Sequence, residues 1–241
     1  MDTTIEAAAV STEAENDIVP GLLRGYRFSV CEAPEAAVQA REVRRRVYVE
    51  DCGYHVPVPD AYDARSWLLL AEDVETGQAV GSMRLTPRFA GPFELEEYFT
   101  LPGALRSPKN VELNRFAILP AYRKGKTFLP VVSLGMLKTV MCFMRALGAH
   151  QLVIASKAAR VWTYEWLRFR RTGILANYGT LDSVEHELLT YDFRRADATF
   201  EGHPFEAFFT TMHYREVHLP AQLPPLGLGI DLEAERHRKC A

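Results

Sequence analysis

One run constrains this chain more than any other: Val111-Glu112-Leu113-Asn114-Arg115-Phe116-Ala117-Ile118-Leu119-Pro120. A carboxylate and a guanidinium sit three residues apart inside an apolar, β-prone segment. Charges on a strand bound for a core are costly unless they are paired. Residues three apart on a regular strand point to opposite faces, so a direct Glu112–Arg115 pair needs a bulge. The run leads into a basic turn, Tyr122-Arg123-Lys124-Gly125-Lys126-Thr127, and then into a long apolar segment ending near Leu147. Strand, basic turn and helix in that order suit a phosphate-bearing ligand held beside a carboxylate.

The surrounding pattern reads as an α/β fold. Residues 26–31 alternate as a strand, and residues 36–51 read as an amphipathic helix ended by Gly53. A Pro-containing loop spans 55–65. Strands at 67–72 and 79–85 flank the turn Glu75-Thr76-Gly77-Gln78, and a long loop then leads to the strand at 110–118. A helix at 127–147, a strand at 149–155, a helix at 158–169 and strands at 174–178 and 187–193 follow, with a late extended segment at 213–219. The order β-α-β-β-β-α-β-α-β-β predicts a mixed sheet flanked by helices. Residues 1–24 are acidic and polar and read as a flexible tail, 25–219 as one domain, and 220–241 as a second tail. A length of 241 residues with 48% hydrophobic content supports one sizeable core.

A net charge of −3 gives no reason to expect a nucleic-acid partner. Local charge is more informative. Arg41, Arg44, Arg45 and Arg46 form one basic patch, and Lys157, Arg160, Arg168, Arg170 and Arg171 another. Either suits an acidic macromolecule or a phosphate, or is a solvated helix face. The four cysteines show no close pairing, which fits a reduced, cytoplasmic protein, and the acidic N-terminus does not read as a signal peptide. Lys138 and Arg145 interrupt the apolar segment at 127–147, so a buried helix is expected there and no stable membrane insertion. The histidines have no metal-site spacing, and no metal is expected.

Several side chains are placed for chemistry. Glu112 on a buried strand is suited to take a proton, directly or through one water. Burial would raise its pKa and Arg115 would lower it. Arg84 lies in the apolar strand Gly81-Ser82-Met83-Arg84-Leu85 and needs an anion: Asp60, Asp63, Glu112 or the carboxylate of a ligand. Asp60 and Asp63 flank Tyr62 on the loop, where they could hold an ammonium group, and Arg44 could pair with them. Arg123, Lys124, Gly125, Lys126 and Thr127 could hold a phosphate. Apolar residues such as Phe128, Met136, Met141 and Trp166 form either an acyl tunnel or ordinary core.

The ordered set Arg44-x3-Tyr48, Tyr54, Asp60-x2-Asp63, Gly81 to Pro87, Gly91-Pro92-Phe93 to Phe99 and Glu112-x2-Arg115-Phe116-Ala117 resembles the autoinducer (acyl-homoserine-lactone) synthases and the related N-acyl amino acid synthases. Both belong to the GNAT N-acyltransferase fold, which implies a mixed, mostly antiparallel central sheet. Residues 120–195 are similar to that fold only in outline. The resemblance implies an acyl-phosphopantetheine co-substrate, from acyl carrier protein or coenzyme A, with no permanently bound cofactor. It also implies an amine acceptor: S-adenosylmethionine in autoinducer synthases, a free amino acid in the others. Tyr54 stands where Trp is usual and Asn114 where a small hydroxyl residue is usual. Pro120-x-Tyr122-Arg123 looks more like the amino acid synthases. These departures weigh against S-adenosylmethionine and leave acyl transfer untouched.

The expectation is therefore an acyltransferase moving a fatty acyl group from acyl carrier protein to the amino group of an amino acid or amino-acid-derived acceptor. Glu112 would deprotonate the amine, and Arg115 and Arg84 would bind or orient the acceptor. Arg44, Tyr48, Tyr54, Asp60 and Asp63 complete the acceptor pocket, and the 123–127 turn takes the donor phosphate. Tyr164-Glu165-Trp166-Leu167 resembles the helix that supplies a general-acid Tyr in many GNAT enzymes, which makes Tyr164 a candidate acid. The alternatives are an acyl-homoserine-lactone synthase with its role in quorum sensing, an ordinary acetyl-coenzyme-A acetyltransferase, which the cation-heavy, glycine-poor turn argues against, or a non-catalytic module that binds an acyl chain or carrier protein. Glu112→Gln and Arg84→Ala are both expected to cut turnover with the fold intact.

Overall fold

The computed structural model describes residues 21, 23–124, 129–178, 184–211, 213–223 and 226. The 1–20 segment, most of the chain beyond 223, and Gly125, Lys126, Thr127 and Phe128 lie outside the described residues. Leu23, within the span read as a tail, is fully buried in the core.

The elements are β1 (Tyr26–Val30), α1 (Pro34–Arg45), β2 (Trp67–Asp73), β3 (Ala79–Pro87), β4 (Asn110–Ile118), α2 (Val131–Leu147), β5 (Gln151–Lys157), α3 (Ala158–Trp166), β6 (Arg170–Asn177), β7 (Glu185–Asp192), α4 (Ala196–Thr199), α5 (Glu206–Thr210) and β8 (Val217–His218). They form one eight-stranded sheet in the order β6-β7-β5-β4-β3-β2-β1-β8. The pairs β4–β5 and β1–β8 are parallel and the others antiparallel. The sheet is mixed and flanked by helices, as the order of elements predicts, and mostly antiparallel, as the resemblance to the GNAT fold implies.

The two faces of the sheet differ. α2 packs on the face carrying Leu69, Met83, Leu85, Val111 and Leu113. Two glycines permit this close approach. A Cβ on Gly81 would come within 2.7 Å of the Met136 sulfur, and one on Gly135 within 2.0 Å of the Phe28 ring. α1 covers part of the other face through Ala40 and Val43, the turn after it adds Val47, and the 93–105 loop covers more of it through Phe93, Leu95, Phe99 and Leu105. Helix α1 runs on as a π-helical turn, Arg46–Asp51.

Lys138, in the middle of α2, is fully buried. Its Nζ donates to the carbonyls of Phe208 and Thr211 and lies 4.8 Å from the Tyr214 ring centre. It ties down the aromatic C-terminal segment that includes α5, and burial draws its pKa down to about 8.

Two irregularities at β4 shape the site. Ser82 pairs with Ala117 and Arg84 with Asn114, so one residue of β3 faces two of β4. Arg115, inside this bulge, has φ +53°, a left-handed conformation unusual for a side-chain-bearing residue. The bulge reverses the alternation. Val111 and Leu113 belong to the α2 face, whereas Ala117 packs with α1 residues. Arg115 is thereby turned to the α1 face, with Glu112 and Asn114, instead of into the apolar core under α2. The second irregularity is that β4 and β5 pair only over Asn110–Glu112 and Gln151–Val153 among the described residues. Beyond Glu112 the strands part: β4 continues beside β3 and β5 beside β7.

Candidate active site

At the point where β4 and β5 separate, three guanidiniums and four carboxylates are buried together. Arg44, Arg84, Arg115, Asp63, Glu94 and Glu112 are all at most 6% exposed, and the Asp60 side chain is 5% exposed. Each cation needs an anion at such burial, and one carboxylate is left over.

Glu112 is that carboxylate. It accepts the backbone N–H groups of Glu94 at 2.9 Å and Leu95 at 3.1 Å, and the Asn114 amide at 3.2 Å. Desolvation pushes its pKa up to about 7, helped by the Glu94 charge and opposed by Arg84 and the two backbone donors. A carboxylate poised near neutrality is suited to general-base work at physiological pH.

Glu94 joins Arg84 and Arg115. One oxygen accepts from Arg84 Nη2 and, at 2.8 Å, from the Asn114 amide; the other accepts from Arg115 Nη2. Arg84 also donates to Asp60 and, through Nε at 3.0 Å, to Asn114 Oδ1. Its planar fork is thus filled from within the protein. Arg115 Nε lies 3.3 Å from Asp60, but Arg115 Nη1 is buried with no hydrogen-bond partner among the described residues. That atom is a donor held ready for a group that the protein does not itself supply.

Asp63 receives both ends of Arg44, with Nη1 to Oδ1 at 2.7 Å, and also accepts the Asp60 N–H at 3.0 Å. Burial raises the Asp63 pKa, but the hydrogen bonds and charge of Arg44 outweigh it and hold the carboxyl below its usual range. Arg44 and Asp63 pin the 60–65 loop to α1, and Asp60 then reaches Arg84 and Arg115.

Aromatic groups border the cluster. Arg115 faces the Tyr48 ring at 5.9 Å, Tyr48 and Tyr54 lie 5.9 Å apart, and Lys157 Nζ donates to the Tyr54 hydroxyl at 3.1 Å. Burial raises the Tyr48 pKa to about 12, with Arg115 opposing and Tyr164 adding to the rise. Tyr164 therefore lies near Tyr48, and burial raises its own pKa too. Burial also holds the Tyr178 phenol well above its usual range, followed by the charges of Glu112 and Glu94.

The structure thus brings Arg44, Tyr48, Tyr54, Asp60, Asp63, Arg84, Glu112, Arg115 and Tyr164 to one region. Of the basic turn, Arg123 is tied to Asp51 at 2.5 Å and to the Ile118 carbonyl at 2.8 Å, and Lys124 is exposed. Gly125, Lys126 and Thr127 lie outside the described residues. Sequence reasoning passed over Glu94 as a site residue and noted Asn114 only as a departure. Glu94 stands in Glu94-Leu95-Glu96-Glu97, where it looks no different from its solvent-facing neighbours. A charge count over the arginines on apolar elements was the available signal. Among the described residues, no cluster of His, Cys, Asp or Glu is placed to hold a metal ion, and no helix is long and apolar enough to cross a membrane.

The burial of Glu112 has a consequence for stability. Its carboxyl titrates near 4.5 in an unfolded chain and near 7 here. The folded state holds this proton more tightly, so the contribution of Glu112 to stability is fully present below pH 4.5 and is lost as pH rises through about 7. The full change is about 3 kcal/mol. Urea unfolding of wild type and Glu112→Gln between pH 5 and 7.5 should show a decline that the variant lacks; parallel pH dependences would contradict this.

Residues 43–133 match the family model described as the acetyltransferase (GNAT) domain. No curated protein matches the sequence. Solved structures share the fold. FeeM, an N-acyl amino acid synthase from uncultured soil microbes, is 17% identical with a TM-score of 0.59, covering 72% of this chain and 94% of its own. BjaI, a CoA-dependent acyl-homoserine lactone synthase solved with SAM and isopentyl-CoA, is 18% identical with a TM-score of 0.61, covering 88% of this chain and 100% of its own. The AHL synthase LasI is 21% identical with a TM-score of 0.52, covering 70% and 89%.

Proposed function

We propose that the chain is an N-acyltransferase that moves a fatty acyl group from acyl carrier protein to the amino group of an amino acid or amino-acid-derived acceptor. The observation that carries this reading is Glu112. It is a buried carboxylate with a pKa near 7, without a guanidinium of its own, at the point where two strands of the sheet part. An ammonium acceptor must lose a proton before it attacks, and Glu112 takes it. The free amine then attacks the thioester carbonyl, giving a tetrahedral oxyanion whose nitrogen carries an extra proton; as the carbonyl re-forms and the C–S bond breaks, the nitrogen gives up that proton and the departing thiolate gains one. Arg115 Nη1, the buried unpartnered donor, is available to the acceptor's carboxylate or to that oxyanion. Tyr164 is the candidate acid for the departing thiolate.

Past Glu112, the edge of β4 that faces β5 has backbone N–H and C=O groups unmatched by β5, and phosphopantetheine carries amides that fit such an edge. The phosphate falls to the basic turn from Arg123 to Thr127 ahead of α2. Arg160, Arg168 and Arg170 favour an acidic carrier protein over free coenzyme A, while Arg171 is paired with Glu187 at 2.6 Å. The fold likeness to acyl-homoserine lactone synthases supports a second reading, with S-adenosylmethionine as acceptor.

Mass spectrometry of lipid extracts from a bacterial host making this chain, against the Glu112→Gln variant, separates these readings. New N-acyl amino acids absent with the variant are expected. N-acylhomoserine lactones in their place would establish the second reading. No new amide from soluble protein would favour a binding module instead.

A further inference from the structure

We propose that Glu94 is a positioning residue for this acylation, a single carboxylate that fixes Arg84 and Arg115 relative to each other while its own backbone N–H fixes Glu112. The proposal rests on the reading of Glu112 as the base. Glu94 is 2% exposed and is the one residue bonded to all four polar groups around the site: Arg84, Arg115 and Asn114 through the side chain, and Glu112 through the main chain.

Its placement is over-determined. It opens the short turn Glu94–Glu97, in which the Phe93 N–H donates to Glu96 Oε1 at 2.9 Å. Glu96 is held in turn by Arg88 at 3.1 Å and Arg106 at 3.5 Å. Phe93 and Leu95, on either side of Glu94, are buried in the loop core. The backbone therefore cannot slide, and the carboxylate reaches both guanidiniums from one side.

Two effects follow. The two arginines keep one orientation, which leaves Arg115 Nη1 as the open donor. The Glu94 charge also sets the proton affinity of Glu112. The other charged or titratable groups facing Glu112 are Arg84 from β3 and Tyr178 just after β6, while Arg115 from β4 and Asp60 from the loop connect to it by way of Glu94 and Arg84. Asn114 adds a neutral donor. Among these, Glu94 supplies the nearest negative charge, and through its N–H it supplies a direct hydrogen bond as well.

The test is the Glu112 carboxyl titration, followed by 13C NMR in wild type, Glu94→Gln and Glu94→Asp, with the pH profile of kcat for each. The resonance is assigned by its loss in Glu112→Gln. In Glu94→Gln the midpoint and the acidic limb should both move down by about one pH unit, because the neighbouring negative charge is gone. Glu94→Asp keeps the charge but is one methylene short of spanning both arginines. It should keep the midpoint and lose at least tenfold in kcat. An unmoved midpoint in folded Glu94→Gln overturns the proposal, and so does a wild-type kcat in Glu94→Asp. The second outcome decides if the Gln variant does not fold. Turnover surviving in Glu112→Gln would instead overturn the base reading, and the NMR midpoint still reports on Glu94 separately.

Discussion

Glu112→Gln lowers the rate of amide formation by about 10²- to 10⁴-fold, the usual contribution of a positioned general base. The substitution keeps the size of the side chain and an oxygen to accept from Leu95 and Asn114, so the fold survives it. What is lost is the proton acceptor. Wild-type kcat should fall below about pH 7, where Glu112 becomes protonated, and the variant should have no such limb. Initial rates of thiol release from an acyl-thioester across pH 5.5–8.5 measure both. A folded variant within threefold of wild type would remove Glu112 from the chemistry.

Arg84→Ala has an effect of comparable size, but on stability. The sequence leaves Arg84 between a ligand carboxylate and an internal pair with Asp60, Asp63 or Glu112, and expects its loss to spare the fold. In the structure it is fully buried, and it holds Asp60, Glu94 and Asn114. Removing one member of a buried ionic cluster leaves uncompensated charge and costs about 3–5 kcal/mol. The expected result is a fall in melting temperature of roughly 10 °C with loosening of the 60–65 loop. Differential scanning calorimetry measures the first, and proteolysis within that loop the second. A melting temperature within 2 °C of wild type would show that the cluster is not held together by Arg84.

How much could be read beforehand differed between fold and site. The order of elements along the chain was legible because apolar alternation and turn residues are local signals: Gly77 at the β2–β3 turn, Gly53 after α1, and the apolar run of α2, broken only by Lys138 and Arg145 among charged residues. The bulge at Arg115 was legible only as a need. Three-residue spacing in a strand could not bring Glu112 and Arg115 together without one, and the +53° φ of Arg115 supplies it. Lys138 read only as a charge interrupting the apolar run of α2. It is buried because the carbonyls of Phe208 and Thr211 receive it, some 70 residues away in sequence, and such a long-range partner leaves no local trace. Glu94 was hidden for the same reason. Its role depends on strands β3 and β4 bringing Arg84 and Arg115 to one side of a loop. The aromatic run from Phe193 to Phe209 carries α4, α5 and a large part of the core, yet its short elements have no periodicity long enough to read.

The central claim is transfer of an acyl group from a thioester to an amine at Glu112. Its most direct test is purified protein incubated with palmitoyl-acyl carrier protein and a mixture of the twenty amino acids, followed by a thiol assay and by mass spectrometry of the products. The account predicts thiol release that requires both protein and amino acid, a stoichiometric N-palmitoyl amino acid, and neither with Glu112→Gln. Tight binding of the acyl-carrier protein with no amide from any amino acid or from S-adenosylmethionine would contradict it.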